Sequence, residues 1–111
     1  MADDKIVDKT YEAIETAKAT GKLKKGTNEV TKVIEKQEAK LVITAKDVSP
    51  PEITMHIPLL CEEKGIPHVE VPSKEELGAA AGIEKPTAAV AIVQEGEAKK
   101  VIKEISDDLK K

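Results

Sequence analysis

Residues 26–32 carry the side chains in this chain that are best placed for recognition chemistry. They set an amide, a carboxylate and an ammonium, those of Asn28, Glu29 and Lys32, in the first turns of a predicted helix, directly after the basic run 22–25. A helix N-terminus offers unpaired backbone N–H groups and the positive end of the helix dipole, and both favour phosphate. Asn and Glu side chains hydrogen-bond purine edges, and Lys reaches a base carbonyl or a phosphate. The spacing therefore predicts a binding site for structured RNA rather than a catalytic centre.

The composition of the 111 residues restricts the kinds of partner. Tyr11 is the single aromatic residue, so the chain lacks the stacking platforms that read single-stranded nucleic acid, and its core must pack from aliphatic side chains. The net charge of −3 by itself disfavours a nucleic-acid partner. Residues 22–40, however, hold six lysines and three glutamates, a local excess of +3. A protein that is acidic overall can still present one basic face.

Residues that could support catalysis or metal binding are few. Cys61 is the single cysteine and lies in a helical pattern, which favours a buried, inert thiol. His56 and His68 have no carboxylate or cysteine at metal-ligand spacing, and no phosphate-loop or dinucleotide motif is present. We therefore expect no catalytic residues, no metal and no cofactor. No signal peptide and no apolar run of membrane-spanning length is seen, which predicts a cytoplasmic protein with no membrane partner.

The hydrophobic pattern alternates between helices and strands. Helical spacing predicts helices within residues 6–20, 28–37, 50–64 and 74–81 and after residue 96, and β-rich apolar runs predict strands at 41–44, 66–71 and 88–93. The predicted boundary signals are Gly21 as a C′ residue, Thr27 as an N-cap, capping boxes opened by Ser49 (with Pro50 at the first helical position) and Ser73, and a kink or break at Pro58. Strands that are apolar on both faces, with helices between them, predict an α/β fold. We expect a three-layer α/β/α sandwich in one domain over residues 1–111, with a mixed sheet of about four strands and helices on both faces. The run 22–25 is predicted as an extended connector or a short strand.

Three segments together resemble a known family: residues 26–32, 57–67 and 71–83. They are similar, in order and spacing, to the archaeal large-subunit ribosomal protein of the L-seven-Ae family, which binds kink-turn RNA, and the resemblance covers about residues 5–105. It implies a non-catalytic RNA-binding protein that is a monomer when free. The implied partners are ribosomal RNA, guide RNAs, ribonuclease P RNA and the other proteins of those ribonucleoproteins.

The resemblance also implies a role for individual residues. A kink-turn is a bent duplex built on tandem sheared G·A pairs and an extruded nucleotide. Asn28, Glu29 and Lys32 would read the guanines of those pairs. The remaining implied contacts are close backbone approach at Gly26 and Thr27, phosphate contacts from Lys24, Lys25 and Lys74, and cover for the extruded base from Ile53, Ile83, Glu84, Lys85, Pro86, Thr87 and Ala88.

The chain departs from the family pattern at four positions. Lys36 and Lys85 stand where relatives carry Arg, and Lys cannot form a bidentate fork with phosphate. Ala79 stands where relatives are often basic. Gln37 stands where relatives often carry Gly, which predicts strain at the end of the second helix or loss of its left-handed cap.

Two functions of other classes remain open from the sequence. One is a protein-interaction module that docks a partner on its acidic face; it would have no RNA affinity. The other is a small enzyme that uses Cys61, with His68 as the candidate partner of the thiol; it would show thiol reactivity in the native state.

Overall fold

The computed structural model describes residues 4–47 and 52–109, which form five α-helices, four β-strands and a 3₁₀ turn at Gly96–Ala98. The helices are α1 (Asp4–Thr20), α2 (Thr27–Glu35), α3 (Glu52–Lys64), α4 (Lys74–Ala80) and α5 (Lys99–Leu109). The strands are β1 (Lys22–Lys25), β2 (Leu41–Ala45), β3 (His68–Val71) and β4 (Ala89–Gln94). The predicted N-cap Ser49 and the following Pro50 lie outside the described residues, as do the side chains of Glu52 and Ile53.

The four strands form one mixed sheet in the order β1-β4-β2-β3. Strand β4 is antiparallel to both β1 and β2, whereas β2 and β3 are parallel. Three strands therefore finish at the end of the sheet where β4 begins, which we call the upper end. Helices α2, α3 and α4 each follow one of those strands, so their N-termini gather there.

Helices cover both faces of the sheet because the strand side chains alternate between two cores. Leu41, Ile43 and Ala45 of β2 pack in a core with α1, α4 and α5, and Val42 packs in a second core with α2 and α3. This arrangement confirms the predicted three-layer α/β/α sandwich. The basic run 22–25 is a strand at the edge of the sheet.

Three predicted boundary features are wrong in detail. Strand β3 begins at His68 rather than at residue 66, because the Ile66 N–H still bonds back to the Cys61 carbonyl at 2.9 Å and prolongs the turn after α3. Helix α3 continues through Pro58, so the predicted break there is wrong, whereas the alternative of a kink stays a prediction. Gly21 follows α1 but has no left-handed backbone; it is needed because a Cβ there would collide with the Gln94 carbonyl oxygen.

The end of α2 keeps its left-handed cap although the residue there is not glycine. Gln37 has φ +58°, its N–H bonds to the Ile34 carbonyl at 2.9 Å, and the Glu38 N–H bonds to the Val33 carbonyl at 2.9 Å. This pair of bonds is a Schellman motif. The same pair closes α3 and α4, where the left-handed residues are Gly65 and Gly82. Of the two predicted alternatives, loss of the cap is therefore wrong: the cap is present, on a residue whose Cβ makes that backbone unfavourable.

Replacing Gln37 by Gly should raise the free energy of unfolding by about 1 kcal/mol, because glycine adopts positive φ without the steric cost of a Cβ. Urea unfolding of the two proteins measures the difference. Gly65→Gln is the matched reverse change and should lower stability by a similar amount, since the left-handed backbone is the same and nothing lies within 4 Å of a Cβ there. If the Gln37→Gly protein were no more stable than the parent, the inference that the backbone at Gln37 is strained would be wrong.

Candidate nucleic-acid interface

Helix α2 begins with open backbone donors. Its N-cap is Gly26, at φ +94° and ψ +147°, and no side chain caps the first turn. The prediction of Thr27 as N-cap is therefore wrong: the left-handed glycine turns the chain one residue earlier, and the first helical bond runs from the Val30 N–H to the Gly26 carbonyl at 3.0 Å. The N–H groups of residues 27–29 point out of the helix end, where an anion can meet them.

The side chains predicted to read bases extend from this same turn into solvent. Asn28, Glu29 and Lys32 are all exposed. Lys32 Nζ lies 3.9 Å from Glu29 Oε1, and both side chains are more than half exposed. Such a pair contributes little to stability, so the carboxylate and the ammonium are available as acceptor and donor for a ligand.

The predicted base-covering loop, residues 83–88, is held against α4 by main-chain bonds. The Ile83 N–H bonds to the Gly78 carbonyl at 2.9 Å, and the Thr87 N–H bonds to the Lys74 carbonyl at 3.2 Å. Ile83 is half-buried against the core, which anchors the start of the loop. Its middle residues Glu84, Lys85 and Pro86 are exposed.

A single carbonyl joins this loop to the start of α2. The Ala89 oxygen accepts the Gly26 N–H at 3.0 Å and the buried Thr87 hydroxyl at 3.1 Å. The neighbouring Ala88 carbonyl accepts the Ala45 N–H from β2 at 2.9 Å. The fold therefore places two segments that are about sixty residues apart in sequence side by side at the upper end of the sheet.

The other predicted contacts are placed less completely. Lys24 and Lys25 are exposed on β1, which leads into Gly26. Lys74 is half-buried at the first position of α4, at the upper end. Ile53 lies in the first turn of α3, but its side chain lies outside the described residues, so its contact with an extruded base stays a prediction.

Two residues that position the site were missed by sequence reasoning. The first is Asp47, whose Oδ1 accepts the Lys74 N–H at 2.8 Å. Together with the predicted N-cap Ser73, whose Oγ accepts the Glu76 N–H at 3.2 Å, it caps the α4 N-terminus, unlike that of α2. Gly78 is the second: a Cβ there would collide with the Lys85 carbonyl oxygen. An Asp before a loop and a Gly inside a helical pattern are visible in the sequence, but their partners are not.

A family model described as the ribosomal protein L7Ae/L30e/S12e/Gadd45 family matches residues 8–102. The chain belongs to this family. The solved structure of the Giardia lamblia 15.5kD RNA binding protein resembles it with a TM-score of 0.93 and 32% sequence identity. That alignment covers 99% of this chain and 92% of the Giardia chain. The mixed four-strand sheet and its helices are thus those of the L7Ae/L30e/S12e/Gadd45 fold.

Two general properties of this family member concern membranes and metals. Among the helices of residues 4–47 and 52–109, none is long and apolar enough to cross a bilayer. In the same ranges, no three His, Cys, Asp or Glu side chains are grouped as metal ligands.

Cys61 and His68 line one cavity of about 400 Å³, but their acidities oppose a nucleophile pair. Burial raises the pKa of the fully buried Cys61 thiol to about 11. Burial lowers the pKa of His68 to about 4, and its Nε2 lies 2.8 Å from the Thr44 hydroxyl. Burial therefore favours the protonated thiol and disfavours the nucleophilic thiolate at neutral pH.

Because of His68, this protein should be less stable in mild acid than at neutral pH. In the unfolded chain its pKa is near 6.5, so between pH 6.5 and about 4 the unfolded state binds the proton and the folded state does not. The free energy of unfolding should therefore fall as the pH is lowered, by about 2 kcal/mol between pH 7.5 and 5. Urea unfolding at a series of pH values measures this loss.

The matched pair of variants is His68→Gln and His56→Gln. His68→Gln should flatten the dependence on pH in this window, because the Gln amide can still hydrogen-bond the Thr44 hydroxyl and does not titrate. His56 is exposed on α3, where its Nε2 lies 2.9 Å from the Thr31 hydroxyl. The His56→Gln protein should lose stability in acid as the parent does. If the free energy of unfolding of the His68→Gln protein fell by the same amount in acid, the pH dependence would come from other groups.

Proposed function

We propose that this chain is a non-catalytic RNA-binding protein that recognises and stabilises kink-turns, with tandem sheared G·A pairs and an extruded nucleotide. We further propose an archaeal large-subunit ribosomal role. The same single domain would serve as a core protein of box C/D and H/ACA guide ribonucleoproteins and of ribonuclease P. It would act in the cytoplasm, as a monomer before it joins these particles.

The observation that carries the proposal is the junction at the Ala89 carbonyl. It sets the uncapped start of α2 beside the loop 83–88. One segment offers backbone N–H groups with an amide, a carboxylate and an ammonium, which are donors and acceptors for purine edges and phosphate. The other offers exposed Pro86 and half-buried Ile83, which give an unstacked base an aliphatic surface. The similarity to the Giardia RNA binding protein, which extends over nearly the whole chain, supports the same class of partner.

The proposed action requires no chemical step. A free kink-turn RNA samples extended and bent forms, and a protein that binds the bent form better shifts the population toward it. To move the ratio from 1:99 to 99:1, it must bind the bent form about 10⁴-fold more tightly. Contacts that only the bent form can make, to the sheared pairs and to the extruded base, supply that difference.

Two observations favour this proposal over its competitors. An enzyme built on Cys61 would need a thiolate, which burial of the thiol disfavours. An interaction module that uses only an acidic face would leave the uncapped α2 start and the anchored loop 83–88 without a role.

The deciding experiment is a fluorescence titration at fixed salt. It compares a kink-turn RNA with the same RNA in which the sheared G·A pairs are changed to Watson–Crick pairs. The proposal predicts binding to the kink-turn RNA at least 100-fold tighter than to the control, because the control removes both the bend and the exposed purine edges. Equal, weak and salt-sensitive binding to both RNAs would overturn it and leave the protein-interaction module.

A further inference from the structure

A concave basic surface begins at Lys24, one of the proposed kink-turn contacts, and extends away from the upper end of the sheet. Lys22, Lys24 and Lys40 line a depression of about 440 Å³, together with Glu38, Val93 and Gln94. We call this the edge cleft. All three lysines are exposed, and no carboxylate among the described residues forms an ion pair with them. Even with Glu38 in the cleft, positive charge is in excess.

Sheet pairing shows where the edge cleft lies. Lys22 pairs with Gln94 at the end of β4, and the Lys40 N–H bonds to the Ile92 carbonyl at 2.6 Å. The upper end is at the other end of the same strands, where Lys25 pairs with Val90 and Gly26 bonds to Ala89. Strand β1 thus connects the edge cleft to the start of α2 over about 10 Å.

The strand between the two sites is suited to a polyanion. It lies at the edge of the sheet, so one row of its main-chain N–H and C=O groups has no partner strand. Its lysines 22 and 24 face the same cleft, while Leu23 packs toward the core between them. Because each strand of an RNA duplex carries a phosphate roughly every 3 Å along its axis, the length of β1 spans the backbone of about three to four base pairs.

We infer that the edge cleft binds the phosphodiester backbone of one duplex arm as it leaves the kink. This inference rests on the proposed function, since the arm is directed along β1 by the kink-turn held at the upper end. Lys22, Lys24 and Lys40 contact phosphates there without reading sequence, so the arm must have a minimum length rather than a particular sequence.

Edge lysines can also serve only to keep a strand from pairing with another molecule. That role makes no distinction between RNAs. Arm length therefore separates the two roles.

The test uses three kink-turn RNAs: one with two long arms, and two in which one arm or the other is cut back to the base pairs next to the kink. The parent protein should bind the long-armed RNA about tenfold more tightly than one of the truncated RNAs, and equally to the other. The double variant Lys22→Ala/Lys40→Ala should lose that tenfold advantage and lower the salt slope on the long-armed RNA by about 2. It should bind the sensitive truncated RNA as the parent does.

The matched control is Lys99→Ala/Lys103→Ala, which removes two exposed lysines from α5 on the other side of the sheet. It should keep the advantage of the long arm. Equal binding of the parent to all three RNAs, or equal weakening of every RNA by both double variants, would overturn the inference. If the parent protein bound the Watson–Crick control RNA of the earlier titration as tightly as the kink-turn RNA, the kink-turn proposal itself would be overturned.

Discussion

Replacing Glu29 by Ala is expected to weaken binding of kink-turn RNA by about 10- to 100-fold, or about 1–3 kcal/mol. Under the proposed function the carboxylate accepts hydrogen bonds from guanines of the sheared pairs, and Ala leaves those donors without a partner. The same change removes a negative charge from the α2 N-terminus, so non-specific binding to plain duplex RNA should become slightly tighter. Titration of both RNAs with the variant and the parent measures these two effects.

Because kink-turn binding should weaken while duplex binding becomes slightly tighter, the experiment distinguishes base recognition from non-specific electrostatic binding. Glu35→Ala is the matched control, because it removes an exposed carboxylate from the other end of α2. It should leave kink-turn binding unchanged or slightly tighter. Lys32→Ala should cost a similar 1–3 kcal/mol on the kink-turn, whereas Lys24→Ala should weaken every RNA and lower the salt slope by about 1. If Glu29→Ala changed both RNAs equally, the carboxylate would have no part in base reading.

Replacing Gly78 by Ala should lower the free energy of unfolding by about 3 kcal/mol. The new methyl would meet the Lys85 carbonyl oxygen and would lie 3.3 Å from the Pro86 Cα, so main chain must move to admit it. Alanine is a better helix former than glycine by about 1 kcal/mol, and the loss is expected despite that gain. Because the loop 83–88 is the neighbour that must move, kink-turn affinity should fall as well. Urea unfolding and RNA titration are the two measurements.

A control in the same helix isolates the steric effect. Ala79 is the next residue of α4 and is exposed. Ala79→Gly should cost about 1 kcal/mol through helix propensity alone, with no effect on kink-turn affinity. A Gly78→Ala protein as stable as the parent, or one that binds the kink-turn normally, would show that the close approach of α4 and the loop is not needed.

The fold was predictable from local patterns because the hydrophobic residues of each helix and strand recur with the period of that element. The alternation along β2 places Leu41 and Ile43 on one face and Val42 on the other, and the helical spacing of α2 buries Val30, Val33 and Ile34. Ser73 was recognisable as the N-cap of α4 because a cap and its partner lie three residues apart. Such signals lie within one or two turns of chain.

Backbone conformation was less predictable where two residues compete for one role. Thr is a common N-cap, yet Gly26 takes that position because its positive φ turns β1 into α2. Gln37 shows the converse, since it occupies a left-handed position that the residue type disfavours. In both cases the path between strand and helix, rather than local preference, selects the conformation.

By itself the sequence determined the elements, their buried faces, the three-layer sandwich and the segments that carry polar side chains. The tertiary structure alone decided that Gly26 and Thr87 share the Ala89 carbonyl, that Asp47 caps α4, and that Gly78 admits the loop. It also decided that Lys22 and Lys40 lie in one cleft. The physical reason is range: periodicity and capping depend on neighbours along the chain, whereas these contacts depend on strand order and register between residues far apart in sequence.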